Sequence, residues 1–339
     1  MPQLLMPGRI IYGINSLEKI RPSRLEHTII ISDGGFLESR GFIHTAESRI
    51  KRVSSHVSTV INPNPDELYR QAAEIYFTDE FDCVAAIGSA AVIDCGMLLS
   101  RESSAEFIAV PISSACAMTD FESGRYFDYL RSPDCVILDP MLMHCVSSGT
   151  AAYDGLACFA YAMDALCENG NSVVQSVAFD AAAGIIRNIT PAFRGNMDAL
   201  GNLMYSMYLA AAAHRNSSGA GTSLLTGVSE FFAGFGYPKL SVCAVCIPSV
   251  IDYSSDMLED ILYKLSAELN ISRPDDSKSA AAAKMLDEIR KIQASLSVPR
   301  SISGFNLSSE DFRRKKSDST MPSDLLDLCY YGSFKFVRM

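Results

Sequence analysis

The sequence predicts an α/β domain built on a parallel sheet with helices on both faces, followed by an all-helical domain. Three observations carry this. Residues 1–148 alternate short apolar runs with helix-patterned segments. Residues 149–339 lose that alternation and keep helical patterning alone. A chain of 339 residues, 48% apolar and 20% charged, has enough length and apolar content for two buried cores.

Taken in order, HTIIISDG is an apolar run ending at Asp33-Gly34-Gly35, a strand-to-turn signal. RVSSHVSTVI is a second strand, and Pro63 and Pro65 break the chain before a helix from about Glu67. CVAAIGSAAVIDCGMLLS is strand, small-residue turn and helix. FIAVPISSA is a strand stopped by Pro111, and CVILDP one closed by Asp139 and Pro140. Strands separated by helices require crossovers, hence parallel pairing. In the second half TAAYDGLACFAYAMDALCE, VVQSVAFDAAAGIIRNI and ALGNLMYSMYLAAAAHR read as apolar helices. LTGVSEFFAGFGYPKLSVCAVCIPSV reads as buried and glycine-punctuated, with SDMLED- and KIQASL-type helices after it. The basic cluster Arg313, Arg314, Lys315 and Lys316 lies next to a Ser-rich exposed loop and reads as a solvated surface segment.

A net charge of −10 disfavours a broad nucleic-acid or anionic-membrane surface. No 18-residue apolar run occurs, and Met1–Arg9 lacks a signal-peptide layout, so a cytoplasmic protein is expected. The ten cysteines sit mostly among Ala, Val, Ile and Leu, as small buried hydrophobes of a reducing compartment. Cys243 and Cys246 form a CxxC, but the run SVCAVCIPSV suits a buried element better than a redox or metal site.

One turn carries a ligand signal. The strand ending at Ile87 runs through Gly88, Ser89, Ala90 and Ala91 into a helix near Val92. Free amides and the dipole at such a helix start favour a pyrophosphate, and small side chains let it approach. A plain tight βα turn explains the same residues. Asp33, closing its strand, would accept a ribose hydroxyl, and it is equally a good turn residue.

Together the segments resemble the iron-containing alcohol dehydrogenase family, with glycerol dehydrogenases and, more distantly, dehydroquinate synthase. The likeness runs over nearly the whole chain. It begins with PGRIIYGINSLEKI, similar to the family's opening strand, turn and helix. It includes the step INPNP at Asn64 and Pro65, and Gly88-Ser89-Ala90-Ala91-Val92-Ile93-Asp94 in place of the family's Gly-Gly-Gly-Ser-x-x-Asp. It continues with Val110-Pro111-Ile112-Ser113 and with Asp139-Pro140 and Leu142. The resemblance implies a dehydroquinate synthase-like fold, NAD or NADP bound between the two domains, and hydride transfer to or from an alcohol or aldehyde carbon. It implies a homodimer acting on a small molecule. A divalent iron or zinc, held by one Asp and three His, would polarise the substrate oxygen.

On that resemblance the cofactor-binding candidates are Asp33, Asn64, Gly88, Ser89, Ala90, Asp94, Ser113, Ser114 and Met118. Met97 stands where a lysine is frequent, and Ser114–Thr119 replaces a glycine-rich loop with bulkier residues. The metal candidates are Asp154, Cys158 and Glu230. Asp154 matches the family's Asp, while Cys158 stands four residues on, on the same helix face, where a His belongs. A third ligand would fall in LLTGVSE, where Glu230 is the one competent side chain. The fourth, from a Pro-His-Gly phrase, meets Pro238-Lys239-Leu240, and no histidine follows His214. An ammonium has no lone pair to donate. The candidate catalytic residues are therefore Lys239, Asp154 and Tyr161, with Asp120, Asp164 and Tyr153 as further polar neighbours.

Two readings from different classes follow. In one, the chain is a divergent NAD(P)-dependent oxidoreductase whose metal site is altered or absent, with Lys239 as the cation near the substrate oxygen. In the other, it is a non-catalytic relative used for binding, sensing or partner interaction. A third chemistry, of lyase or aldol type, would use Lys239 in a Schiff base.

Overall fold

The computed structural model describes residues 6–23, 27–50, 53–59, 61, 64–78, 80–113, 132–145, 147–167, 171–217 and 223–332. The chain divides into two compact units. The first comprises Met1–Ser147 with Asn196–Ala212, and the second Ser148–Gly195 with Ala213–Met339.

The first unit holds six strands: β1 (Arg9–Tyr12), β2 (Thr28–Ser32), β3 (Val53–Ser58), β4 (Cys83–Gly88), β5 (Glu106–Pro111) and β6 (Cys135–Leu138). All pair in parallel, in the order β1-β6-β5-β4-β2-β3. The four inner strands are buried at every position, as continuous apolar runs in a covered parallel sheet should be. The edge strands β1 and β3 are part-exposed.

The period of two along the strands sorts the core onto two faces. Ile30, Ala85, Ile87, Ile108, Val110 and Ile137 pack with Leu37 of α1 (Gly34–Ser39) and Ile43 and Ala46 of α2 (Phe42–Arg49). The alternate residues face α4 (Ala90–Ser103). There Gly96 lies so close that a Cβ would stand 2.6 Å from Ala86 and 2.9 Å from Phe107. Beside α4 packs α3 (Pro65–Thr78). The opening segment departs from strand-turn-helix, since only a 3-10 turn at Ser16–Lys19 follows β1. Asp139 fixes that turn. Its buried carboxylate caps α5 (Pro140–His144) through Met141 N–H at 3.0 Å and accepts from Asn15 and Leu17 N–H at 3.2 and 3.0 Å. Tyr205, on α8 (Met197–Arg215), stacks on Tyr12 with centroids 4.5 Å apart.

The second unit contains α6 (Ser148–Cys167), α7 (Ser172–Phe193), α9 (Leu224–Ala233), α10 (Lys239–Tyr253), α11 (Ser255–Glu268), α12 (Lys278–Ser295), α13 (Ser309–Lys316) and α14 (Ser323–Tyr331). No strand occurs among its described residues. At its centre α10 packs against α6, α9, α12 and α14. The CxxC lies here, with Cys243 and Cys246 buried on the helix. Pro248 sits inside α10 and cannot donate to Ala244 O. Gln293 Nε2, from α12, supplies that bond at 3.1 Å and donates to Val245 O at 3.0 Å.

The Arg313–Lys316 cluster forms the last turn of α13. Ser308 caps α13 by accepting from Asp311 N–H at 3.1 Å. Phe312 anchors it, stacked on Tyr330 at 4.1 Å. Two of the four cations are engaged in packing: Lys316 pairs with Asp327 at 2.5 Å, and Lys315 stands 4.4 Å over the Phe235 ring. Among the described residues, no helix is long and apolar enough to cross a membrane.

Candidate functional site

In the first unit the site follows from strand order. From β2 the chain lays β3 to one side, and it then returns to lay β4, β5 and β6 on the other. The order therefore reverses between β2 and β4, and the crevice outside the carboxyl ends of such strands is where open α/β sheets bind ligands. Residues from that edge are Asp33 after β2, Gly88 and Ser89 after β4, and Ser113 after β5. The register aligns Ser32 with Ile87 and Gly88 with Pro111, and Ile112 N–H donates to Gly88 O at 3.0 Å.

Asp33 and Ser89 are joined across the reversal. The Ser89 backbone N–H donates to Asp33 Oδ2, and Ser89 Oγ donates to Oδ1 at 2.8 Å. The need for glycine at 88 is steric as well as conformational: φ is +156°, and a Cβ would lie 2.3 Å from Asp33 Oδ2. Ala90 is the first residue of α4, and Asp94 lies one turn further, half-buried. Ser113 is buried. Asn64 stands apart in role, at the head of α3, where its carbonyl accepts from Leu68 N–H at 2.8 Å. Ser114, Met118 and Asp120 lie outside the described residues.

In the second unit Asp154, Cys158 and Tyr161 share one face of α6, with 5%, 0% and 1% of their surfaces exposed. Tyr161 stacks on His214 at 4.9 Å. Burial holds the Tyr161 phenol well above its ordinary pKa, and Cys243, Cys158, Asp154 and Asp164 around it add to the rise. That phenol keeps its proton across the physiological range. Burial lowers His214 to about 4, so its ring is neutral near pH 7. The Cys243 thiol is pushed up to about 12, chiefly by burial, with Lys239 pulling the other way. This is a packed, buried polar cluster.

Glu230 and Lys239 answer each other. Their charged groups lie 3.8 Å apart, with the Glu230 side chain 59% exposed and that of Lys239 21% exposed. Among the described residues, no three His, Cys, Asp or Glu side chains gather as a group able to hold a metal ion. Asp154 and Cys158 thus share a face while Glu230 pairs with an ammonium. This donor set does not fit a divalent ion, which needs three or four deprotonated ligands.

Asp164 is half-buried and accepts from Ser223 Oγ at 2.6 Å, while Ser223 caps α9 by accepting from Thr226 N–H at 3.0 Å. Sequence reading missed Ser223 because its partner is 59 residues away. A serine just before the apolar run LLTGVSEFFA was the available signal.

No family model matches the chain. A curated relative, the NADPH-dependent butanol dehydrogenase of Clostridium saccharobutylicum, is 19% identical over 356 residues, covering 93% of this chain and 89% of its own. An iron-containing alcohol dehydrogenase from Thermococcus thioreducens superposes with a TM-score of 0.76 at 19% identity, covering 98% of this chain and all of the other. The sulfoacetaldehyde reductase of Bifidobacterium kashiwanohense, solved with NAD+, gives 0.74 at 16% identity and covers 98% of both. The chain has the fold of these dehydrogenases, and its resemblance to the iron-containing alcohol dehydrogenases extends over the whole length.

Proposed function

We propose that the chain is a nicotinamide-dependent oxidoreductase interconverting an alcohol and an aldehyde, with an altered site for the substrate oxygen. The observation that carries the reading is the crevice at the strand-order reversal, built from Asp33, Gly88 and Ser89, within a fold matched end to end by dehydrogenases. The relatives supply the cofactor class, NADPH for the butanol dehydrogenase and NAD+ for the sulfoacetaldehyde reductase. Asp33, Gly88 and Ser89 would hold the nicotinamide cofactor, which when bound would supply the acceptor for the alcohol carbon's hydride, the hydroxyl proton leaving to solvent water. Since the donor set is wrong for a metal, the positive charge beside the substrate oxygen falls to Lys239. Glu230 lies 3.8 Å from that ammonium. Asp154 and Tyr161 serve as the buried polar backing of the helical unit. The reading takes a homodimer in the cytoplasm with a small-molecule substrate. A chain of net charge −10 suits neither a nucleic-acid nor a membrane partner.

Titration with NADH and NADPH, followed by nicotinamide fluorescence, tests it. Binding below about 1 mM is expected, the upper end of ordinary enzyme-substrate affinity. Turnover of short alcohols should follow, with Lys239→Ala lowering kcat by roughly 100-fold or more and leaving cofactor affinity in place. The absence of binding at millimolar cofactor would sink the reading. Binding without turnover selects the second reading, a non-catalytic sensor or binding protein, which the Glu230–Lys239 pairing in place of ligands favours.

A further inference from the structure

The crevice at the strand-order reversal already holds an anion, the carboxylate of Asp33. We infer that Asp33 is a built-in competitor of the cofactor's phosphates and sets the affinity of the site for adenine nucleotides as a class. The inference rests on the nicotinamide reading.

Four observations support it. Both Asp33 oxygens are taken by one residue of the opposite strand end, the amide of Ser89 on Oδ2 and its hydroxyl on Oδ1. Asp33 makes no side-chain bond to its own helix α1, although it stands at the cap position, so its carboxylate is spent across the crevice. Ser89, in turn, makes no side-chain bond within α4, because its hydroxyl goes to Asp33. Gly88 is bare where a Cβ would meet Asp33 Oδ2 at 2.3 Å, so the glycine that would admit a ligand phosphate instead admits this carboxylate. One feature points to a ligand independently. Ser113, 2% exposed and one residue past the Ile112–Gly88 hydrogen bond, has no hydrogen-bond partner for its Oγ among the described residues. A buried hydroxyl of this kind requires a partner.

A dinucleotide seated at this turn meets a fixed negative charge on the amide its phosphate would use. It must displace two hydrogen bonds and work against charge repulsion. This role differs from reading a ribose. A ribose reader helps NADH and rejects NADPH, whereas an internal competitor weakens every nucleotide alike.

The test compares wild type with Asp33→Asn and Asp33→Ala by calorimetric titration of NADH, NADPH and ADP. Both variants should bind all three about tenfold tighter, with the NADH-to-NADPH ratio unchanged. Asp33→Asn keeps an acceptor for the Ser89 amide, so the test survives if Asp33→Ala fails to fold. Unchanged or weaker binding in a folded variant overturns the inference and leaves the nicotinamide reading standing. So does weaker NADH with stronger NADPH, which would make Asp33 a ribose reader. No nucleotide binding by any of the proteins overturns both.

Discussion

The α/β unit and the helical unit have handled their polar positions in opposite ways. Around the β2–β4 crevice the contacts are the Ser89 amide and hydroxyl, a glycine without a side chain and one carboxylate, all at a sheet edge. In the helical unit the polar groups are side chains on α6, α9 and α10, from the part-exposed Glu230–Lys239 pair to the buried stack of Tyr161 on His214. A site made of side chains can be lost one substitution at a time, and Cys158 and Lys239 stand where the family resemblance would place histidines.

That contrast can be broken in three places. The largest effect is expected at His214. Its ring stays neutral to about pH 4 in the native chain but takes a proton near 6.5 when unfolded. Below pH 6.5 the unfolded state therefore binds more protons, and stability falls with pH down to about 4, by about 3 kcal/mol in all. Denaturant unfolding of wild type at pH 7 and pH 4.5 should show most of that loss, and His214→Phe should remove this component. Equal pH slopes in the two proteins would mean that the ring is not the neutral filler described. Gly88→Ala addresses the other unit. It should cost about 1–3 kcal/mol by forcing Asp33 away, read as a lower midpoint in urea. A variant as stable as wild type would show that the Asp33 contact is soft. The smallest effect belongs to Ser223→Ala, which removes a helix cap and the partner of Asp164, at about 1 kcal/mol. Ser223→Asp should be no better, because it restores the cap while setting a carboxylate against Asp164. If it proved more stable than wild type, Asp164 would not face that cap.

Much of the α/β unit was legible because short continuous apolar runs such as TIIIS and CVAAIG are buried on both faces, which few other arrangements allow. The Asp33–Gly88–Ser89 crevice was legible as residues but not as a contact. The hydrogen bond between positions 33 and 89 depends on strand order, which no local pattern encodes. The helical unit was read less well for the same reason. The bond between Asp164 and Ser223, the cap of another helix, was equally out of reach of local pattern. The charge of the Arg313–Lys316 run gave a solvated surface segment but not its helix. The Ser308–Asp311 spacing, a capping pattern ahead of Phe312, was the better guide.

The proline within α10 has a consequence beyond its own helix. Gln293 does there the work of a missing main-chain amide, so neither position makes sense alone. A descendant with an ordinary residue at 248 regains its own donor, and the glutamine becomes a surplus polar group sealed in oil. The two sites, on different helices and far apart in the chain, are one heritable trait, to be acquired or discarded as a pair.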